Sequence, residues 1–171
     1  MTSCCLDRII VSLLLSLIPA LALAQEASRD IDFATAEVTI HNERHAAQLS
    51  VELAVNGRQR ARGLMEREHL GADAGMLFLY ERERTPGTSV WMYRTRIPLD
   101  IAFIGGDGRI AAIQEMPPCD ADAPGDCPTY EAGVTYVAAL EVNAGYFDEN
   151  DIDIGDCVAL DGERLGRASD C

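Results

Sequence analysis

In "AQLSVELAV", Leu49, Val51, Leu53 and Val55 alternate with polar Ser50 and Glu52, the period of a strand with one buried face. "AEVTIH" before it reads as a strand too. So do the short apolar runs "GMLFLY", "TSVWMY", "LDIAFI", "RIAAIQEM", "TYVAALEV" and "DCVAL". Asn56 fits a helix N-cap, with Gln59 three residues on able to reach back as in a capping box, so a short helix is expected from Gly57 to about Leu64. The "GGDG" at Gly105 to Gly108 predicts a hairpin between two strands. Pro98 places "LDIAFI" at a strand start or a sheet edge, because proline cannot donate to a ladder. The pattern predicts a mainly β fold: a compact antiparallel β-sandwich, jelly-roll-like or barrel-like single domain with one or two short helices.

The first residues follow a different rule. One arginine precedes an apolar core from Ile9 to about Leu23, and Ala22-Leu23-Ala24 forms a small-x-small junction. Residues 1–24 are therefore expected to be a signal peptide cleaved after Ala24, with Ser12, Ser16 and Pro19 interrupting the run against an uncleaved anchor. Residues 25–45 read as a lead-in with the first strand, and 46–171 as one β-rich domain. No second stretch approaches a spanning length, so no membrane span is expected after cleavage and the product is expected in a periplasm or outside the cell.

Export changes the reading of the cysteines. Cys119, Cys127, Cys157 and Cys171 follow the cleavage junction, and an even number in an exported chain argues for two disulfides. Proximity favours Cys119 with Cys127 and Cys157 with Cys171; without a C-x-x-C, redox catalysis is not expected. The formal charge is -14, with arginine at every Lys/Arg position. That balance opposes nucleic acid or an anionic membrane as a partner, since both need a basic face.

Three stretches, "ARGLMEREHLGADAGMLF", "WMYRTRIPLDIAFIGGDGRIAAI" and "YVAALEVNAGYFDENDIDIGD", closely resemble the bacterial and archaeal family known as domain of unknown function 192 (DUF192). The resemblance covers about residues 49 to 160 and implies a compact β-sandwich-like or jelly-roll fold, often exported. It implies no chemistry. Where the family usually has Lys-Asn after Trp-Met, this chain has Tyr93-Arg94, which keeps a positive charge but removes the amide.

Polar residues inside these apolar motifs are the candidates for function: Arg62 and Arg67 flanking "GLM", then Trp91, Arg94, Thr95, Asp100 and Glu141. A guanidinium fork suits carboxylate, sulfate or phosphate, so arginines beside an aromatic ring could hold a small anionic or polar ligand. The competing structural reading pairs Arg62 or Arg96 with Asp100 or Glu141, fixing two strands.

Other chemistries are thinner. Asp100, Glu115 and Glu141 could supply the acid and base of a hydrolase if two of them faced one cleft. Nucleophilic catalysis lacks a G-x-S-x-G elbow. His41 and His45 share helical spacing for a metal but follow a strand pattern, which favours loop histidines. Asp120, Asp122, Gly125, Asp126 and Glu131 mimic a calcium loop, although Pro124 occupies a ligand position. Met65, Met76, Met92 and Met116 could offer thioethers to Cu(I), or simply fill the core. The leading expectation is a non-enzymatic module, with no cofactor or resident metal, that binds a small polar ligand or an envelope protein.

Overall fold

The structure, a computed structural model, describes residues 31–166. The expected signal peptide and Cys171 lie outside the described residues. Strands β1 (Ala34–His41) and β2 (Ala46–Ala54) lead into α1 (Gly57–Arg62) and β3 (Ala74–Arg84); β4 (Ser89–Trp91), β5 (Leu99–Ile104), β6 (Ile110–Met116), β7 (Thr129–Glu131) and β8 (Tyr136–Asn143) follow. Helix α2 (Tyr146–Glu149), β9 (Cys157–Leu160) and β10 (Glu163–Arg164) complete the order.

Eight strands form one sheet in the order β10-β9-β1-β2-β3-β8-β5-β6, curled into a half-barrel. Strands β4 and β7 pair as a separate ribbon. The expected hairpin joins β5 and β6, closed by Gly105 N–H to the Arg109 carbonyl at 2.9 Å. Near that hairpin the curled sheet meets its own far side: Val158 N–H donates to the Gly108 carbonyl and Ile110 N–H to the Asp156 carbonyl, both at 2.9 Å. One pairing departs from the antiparallel rule, since β2 and β3 run parallel. A parallel neighbour needs a crossover, and α1 with the turns after it supplies one. Pro98 precedes β5, which is a strand start inside the sheet, not an edge.

The α1 N-terminus forms as its sequence predicts. The Asn56 side chain accepts from the Arg58 and Gln59 amides at 3.0 Å, and the Gln59 side-chain oxygen Oε1 accepts from the Asn56 amide at 3.2 Å. Asn56→Ala is expected to cost about 1 kcal/mol. Urea unfolding should show a lowered midpoint with an unchanged slope.

Both sides of the central strands are buried. Val38, Leu49, Leu77, Leu140, Ile104 and Val158 fill the concave interior, and Phe147 of α2 closes over it. Met76, Phe78, Leu99, Ile101, Phe103 and Ala139 form a second apolar layer on the outer face, packed against Leu64, Met92 and Tyr136. This two-sided burial is why β5 reads as a continuous apolar run instead of an alternating one. The outer layer is covered by the residues after α1 and by the β4–β7 ribbon, which Gln114 of β6 ties down by donating to the Glu131 carbonyl at 2.6 Å.

Cys119 and Cys127 are bonded to each other, closing the acidic loop. Cys157 is also disulfide-bonded; its expected partner Cys171 lies outside the described residues. Among the described residues no helix is long and apolar enough to cross a membrane.

Candidate functional site

Strand register separates the two suspect carboxylates. Glu141 lies directly opposite Ile101 across the β5–β8 ladder, whereas Asp100 lies opposite Val142. Cross-strand partners share a face and successive residues alternate, so Glu141 points to the outer layer and Asp100 to the concave interior. Asp100 is instead the cross-strand partner of Glu115, which is exposed.

Asp100 is 7% exposed, and its Oδ2 accepts the Gly145 amide at 2.8 Å. Gly145 is the N-cap of α2 at φ 85°, a left-handed conformation that suits glycine. The arginine expected as the partner of Asp100 is a backbone amide. Burial raises the Asp100 carboxyl above its ordinary value, the Gly145 hydrogen bond opposes this, and the charge of Glu115 adds to the rise.

Glu141 has no such partner. It is 6% exposed, and no hydrogen bond or ion pair reaches it from the described residues. Burial alone pushes its carboxyl from 4.5 up to about 8. Gly75 of β3 lets the two backbones close up here, because a Cβ there would stand 2.7 Å from the Glu141 carbonyl oxygen. The Glu141 side chain lines a cavity of about 320 Å³ between the outer face of the sheet, the end of α1 and the β4–β7 ribbon.

The walls of the cavity are mostly apolar and aromatic. Leu64, Met65, Phe78, Tyr80, Trp91 and Tyr93 line it, with the Thr95 side chain among the polar contributors. Trp91 remains 43% exposed at the rim, with its ring tilted against Tyr93 at 6.3 Å. Arg60 and Arg62 also border the cavity but are already engaged. Arg60 donates to the Leu79 carbonyl at 2.9 Å and lies 5.1 Å over the Tyr80 ring. Arg62 pairs with Glu66 at 2.9 Å and holds that carboxyl below its ordinary range.

Two loops are clasped beside this cavity. Glu66 and Arg94 are non-glycine residues at φ 63° and 54°, and they bond each other twice: Glu66 N–H to the Arg94 carbonyl at 2.6 Å, and guanidinium to carboxylate at 3.4 Å. Left-handed conformations in such residues are held only by the surrounding structure and concentrate at ligand clamps.

Of the expected site residues, Arg62, Trp91, Thr95 and Glu141 converge on the cavity. Arg94 braces its neighbour Tyr93, lying 5.3 Å over that ring. Arg67 pairs with Glu52 at 2.5 Å beside a separate depression, and Asp100 serves the opposite face. Arg96 bonds Glu68 and Asp120, each at 3.5 Å, so the expected pairing of Arg62 or Arg96 with Asp100 or Glu141 does not form. Arg60, Phe78 and Tyr80 were not expected at a site. Phe78 and Tyr80 carried a legible signal, in that alternation within "GMLFLY" puts them on one face with Met76.

The metal candidates separate in space. Met76, Met92 and Met116 are buried core residues of the outer layer, apart from Met65 at the cavity wall. His41 ends β1 and His45 follows in the turn, without helical spacing. Among the described residues no group of three His, Cys, Asp or Glu side chains is placed to hold a metal ion.

Comparison with known proteins gives a family and a fold. The model of the DUF192 family, described as "Uncharacterized ACR", matches residues 38–160. A crystal structure from Sinorhizobium meliloti 1021, described as "a putative transcription regulator", is 31% identical with a TM-score of 0.69, over 78% of this chain and 99% of that one. A protein of unknown function from Novosphingobium aromaticivorans DSM 12444 is 33% identical with a TM-score of 0.62, over 72% of this chain and 84% of that one. Comparison with curated proteins gave no match.

Proposed function

We propose that this chain, which belongs to the DUF192 family, is an exported, non-enzymatic binding module that takes a small polar ligand into the Glu141 cavity. The observation that carries the reading is a carboxyl group, more than nine-tenths buried and without a partner among the described residues, opening into a cavity of ligand size. A buried ionisable group without a partner is costly, and a ligand that completes its hydrogen bonding recovers that cost.

Hydrolysis between two carboxylates is less well supported. Glu141 is the sole acid among the cavity-lining residues, since Asp100 and Glu115 share the opposite face. Nucleic acid remains a poor partner for a chain of net charge -14. The disulfide-closed loop accords with an oxidising compartment.

Ala61→Phe provides the test, because Ala61 is an exposed helical residue on the cavity wall and a ring there obstructs the cavity without entering the core. Native mass spectrometry of protein from its own host should show a small-molecule adduct on the native chain and none on Ala61→Phe. An unliganded native chain, or an adduct that persists in the variant, overturns the proposal.

A further inference from the structure

We propose that the ligand of this cavity is a compact organic cation, an ammonium or guanidinium head, that ion-pairs with Glu141 against the faces of Trp91 and Tyr93; this rests on the cavity reading above. The floor of the cavity offers a carboxyl group with no counter-charge on it. The walls offer aromatic rings, whose faces attract cations within about 6 Å.

The same rings already hold cations of this chain. Arg60 and Arg84 lie 5.1 and 5.4 Å from the Tyr80 centroid, and Arg94 lies 5.3 Å from that of Tyr93. Among the described residues no guanidinium lies over Trp91, which is left facing the cavity rim. An anionic ligand meets worse terms. It would have to draw Arg62 from Glu66 or Arg60 from the Leu79 carbonyl, then sit beside the Glu141 carboxyl.

Other charged groups near Glu141 are accounted for. Its ladder neighbours are Met76 on β3 and Ile101 on β5, neither of which titrates. Glu52, one strand beyond Met76, is paired to Arg67. Arg60, Arg62, Tyr80 and Tyr93 complete the titratable lining, and none of them shifts Glu141, whose rise comes from burial alone. A cation therefore binds the ionised form and expels a proton; a neutral or anionic ligand leaves the proton in place.

That difference separates the ligand classes in one experiment. Choline, its uncharged carbon isostere dimethylbutanol and the carboxylate dimethylbutanoate would be titrated into the full mature protein. Binding is followed by fluorescence of Trp91, the chain's one tryptophan, and by calorimetry in buffers of different ionisation enthalpy. Choline is expected to bind at least tenfold more tightly than either analogue and to release about 0.9 proton per site at pH 7. Its affinity should rise roughly tenfold from pH 6 to pH 7 and level off above pH 8. Glu141→Gln should abolish the proton release and the preference.

Equal or tighter binding of dimethylbutanol or dimethylbutanoate, without proton release, overturns the cation assignment and leaves the cavity reading standing. Failure of all three probes to bind overturns the cation assignment, whereas the cavity reading falls only if the native chain carries no adduct or the adduct persists in Ala61→Phe. Proton release is read on the native protein, so the inference stays testable even if Glu141→Gln does not fold.

Discussion

Glu141→Gln is expected to stabilise the protein at pH 8 and to leave its stability nearly unchanged at pH 4. The carboxyl rises from 4.5 to about 8 on folding because burial disfavours its charge. Below pH 4.5 the group is protonated in both states and contributes no pH dependence. Between pH 4.5 and about 8 the unfolded chain is ionised while the folded chain keeps the proton, so stability falls as pH rises. At about 1.4 kcal/mol per unit, the full interval amounts to on the order of 5 kcal/mol. Glutamine keeps the shape and removes the titration. Urea midpoints measured from pH 4 to 9 should diverge in favour of the variant, and parallel curves would show that Glu141 does not titrate as described. A shallower slope of the same sign will remain, because the Asp100 carboxyl is also raised.

Asp100→Ala carries the second large effect, in the opposite direction. The truncation removes the acceptor of the Gly145 amide at the start of α2, within the ring contact of Tyr146 and Phe147 that helps close the concave core. An amide left without a partner, with a buried charged acceptor lost, costs about 3 kcal/mol. Asp100→Asn should lose less than half of that, since its amide oxygen still accepts and the burial of a charge is avoided. Thermal or urea unfolding distinguishes the two, and equal losses would argue against the hydrogen bond as the cause. Ligand binding at the Glu141 cavity should survive in both variants, because the two side chains occupy opposite faces of the sheet.

The fold was legible where alternation or continuous apolarity ran for at least four residues: the sequence-predicted strands correspond to β1 to β6, β8 and β9. Shorter pieces escaped. The three residues of β7 sit inside a Pro- and Gly-rich loop, and the four residues of α2 are too few to show a helical period. The parallel β2–β3 pairing was hidden for another reason, since strand direction is fixed by a crossover and not by the strand's own residues.

The site was half legible. A charged residue inside an apolar motif marked both Asp100 and Glu141, but their separation depends on β5–β8 register between segments some forty residues apart, which local pattern does not encode. Arg62 and Arg96 looked like partners for the acids; Glu66, four residues on in the turn that follows α1, takes the first, while Glu68 and Asp120 take the second. Trp91 stood out in the sequence, and alternation put Phe78 and Tyr80 on one face, but their place at a cavity wall was hidden because their strand also builds the core.

Strand β8 has a neighbour on either side and apolar residues on both faces, a combination that leaves hydrophobicity alone little power to choose its alignment. Sliding it by one residue against β3 and β5, so that Ala139 and Glu141 take the places of Leu140 and Val142, would keep a run of backbone pairing but carry Glu141 into the concave core. In the place of Val142 the acid would stand opposite Asp100, a second carboxyl group, and away from its cavity, a penalty of several kcal/mol. The residue proposed to anchor the ligand thus acts earlier as a proofreader, making the misaligned sheet the more expensive one to build.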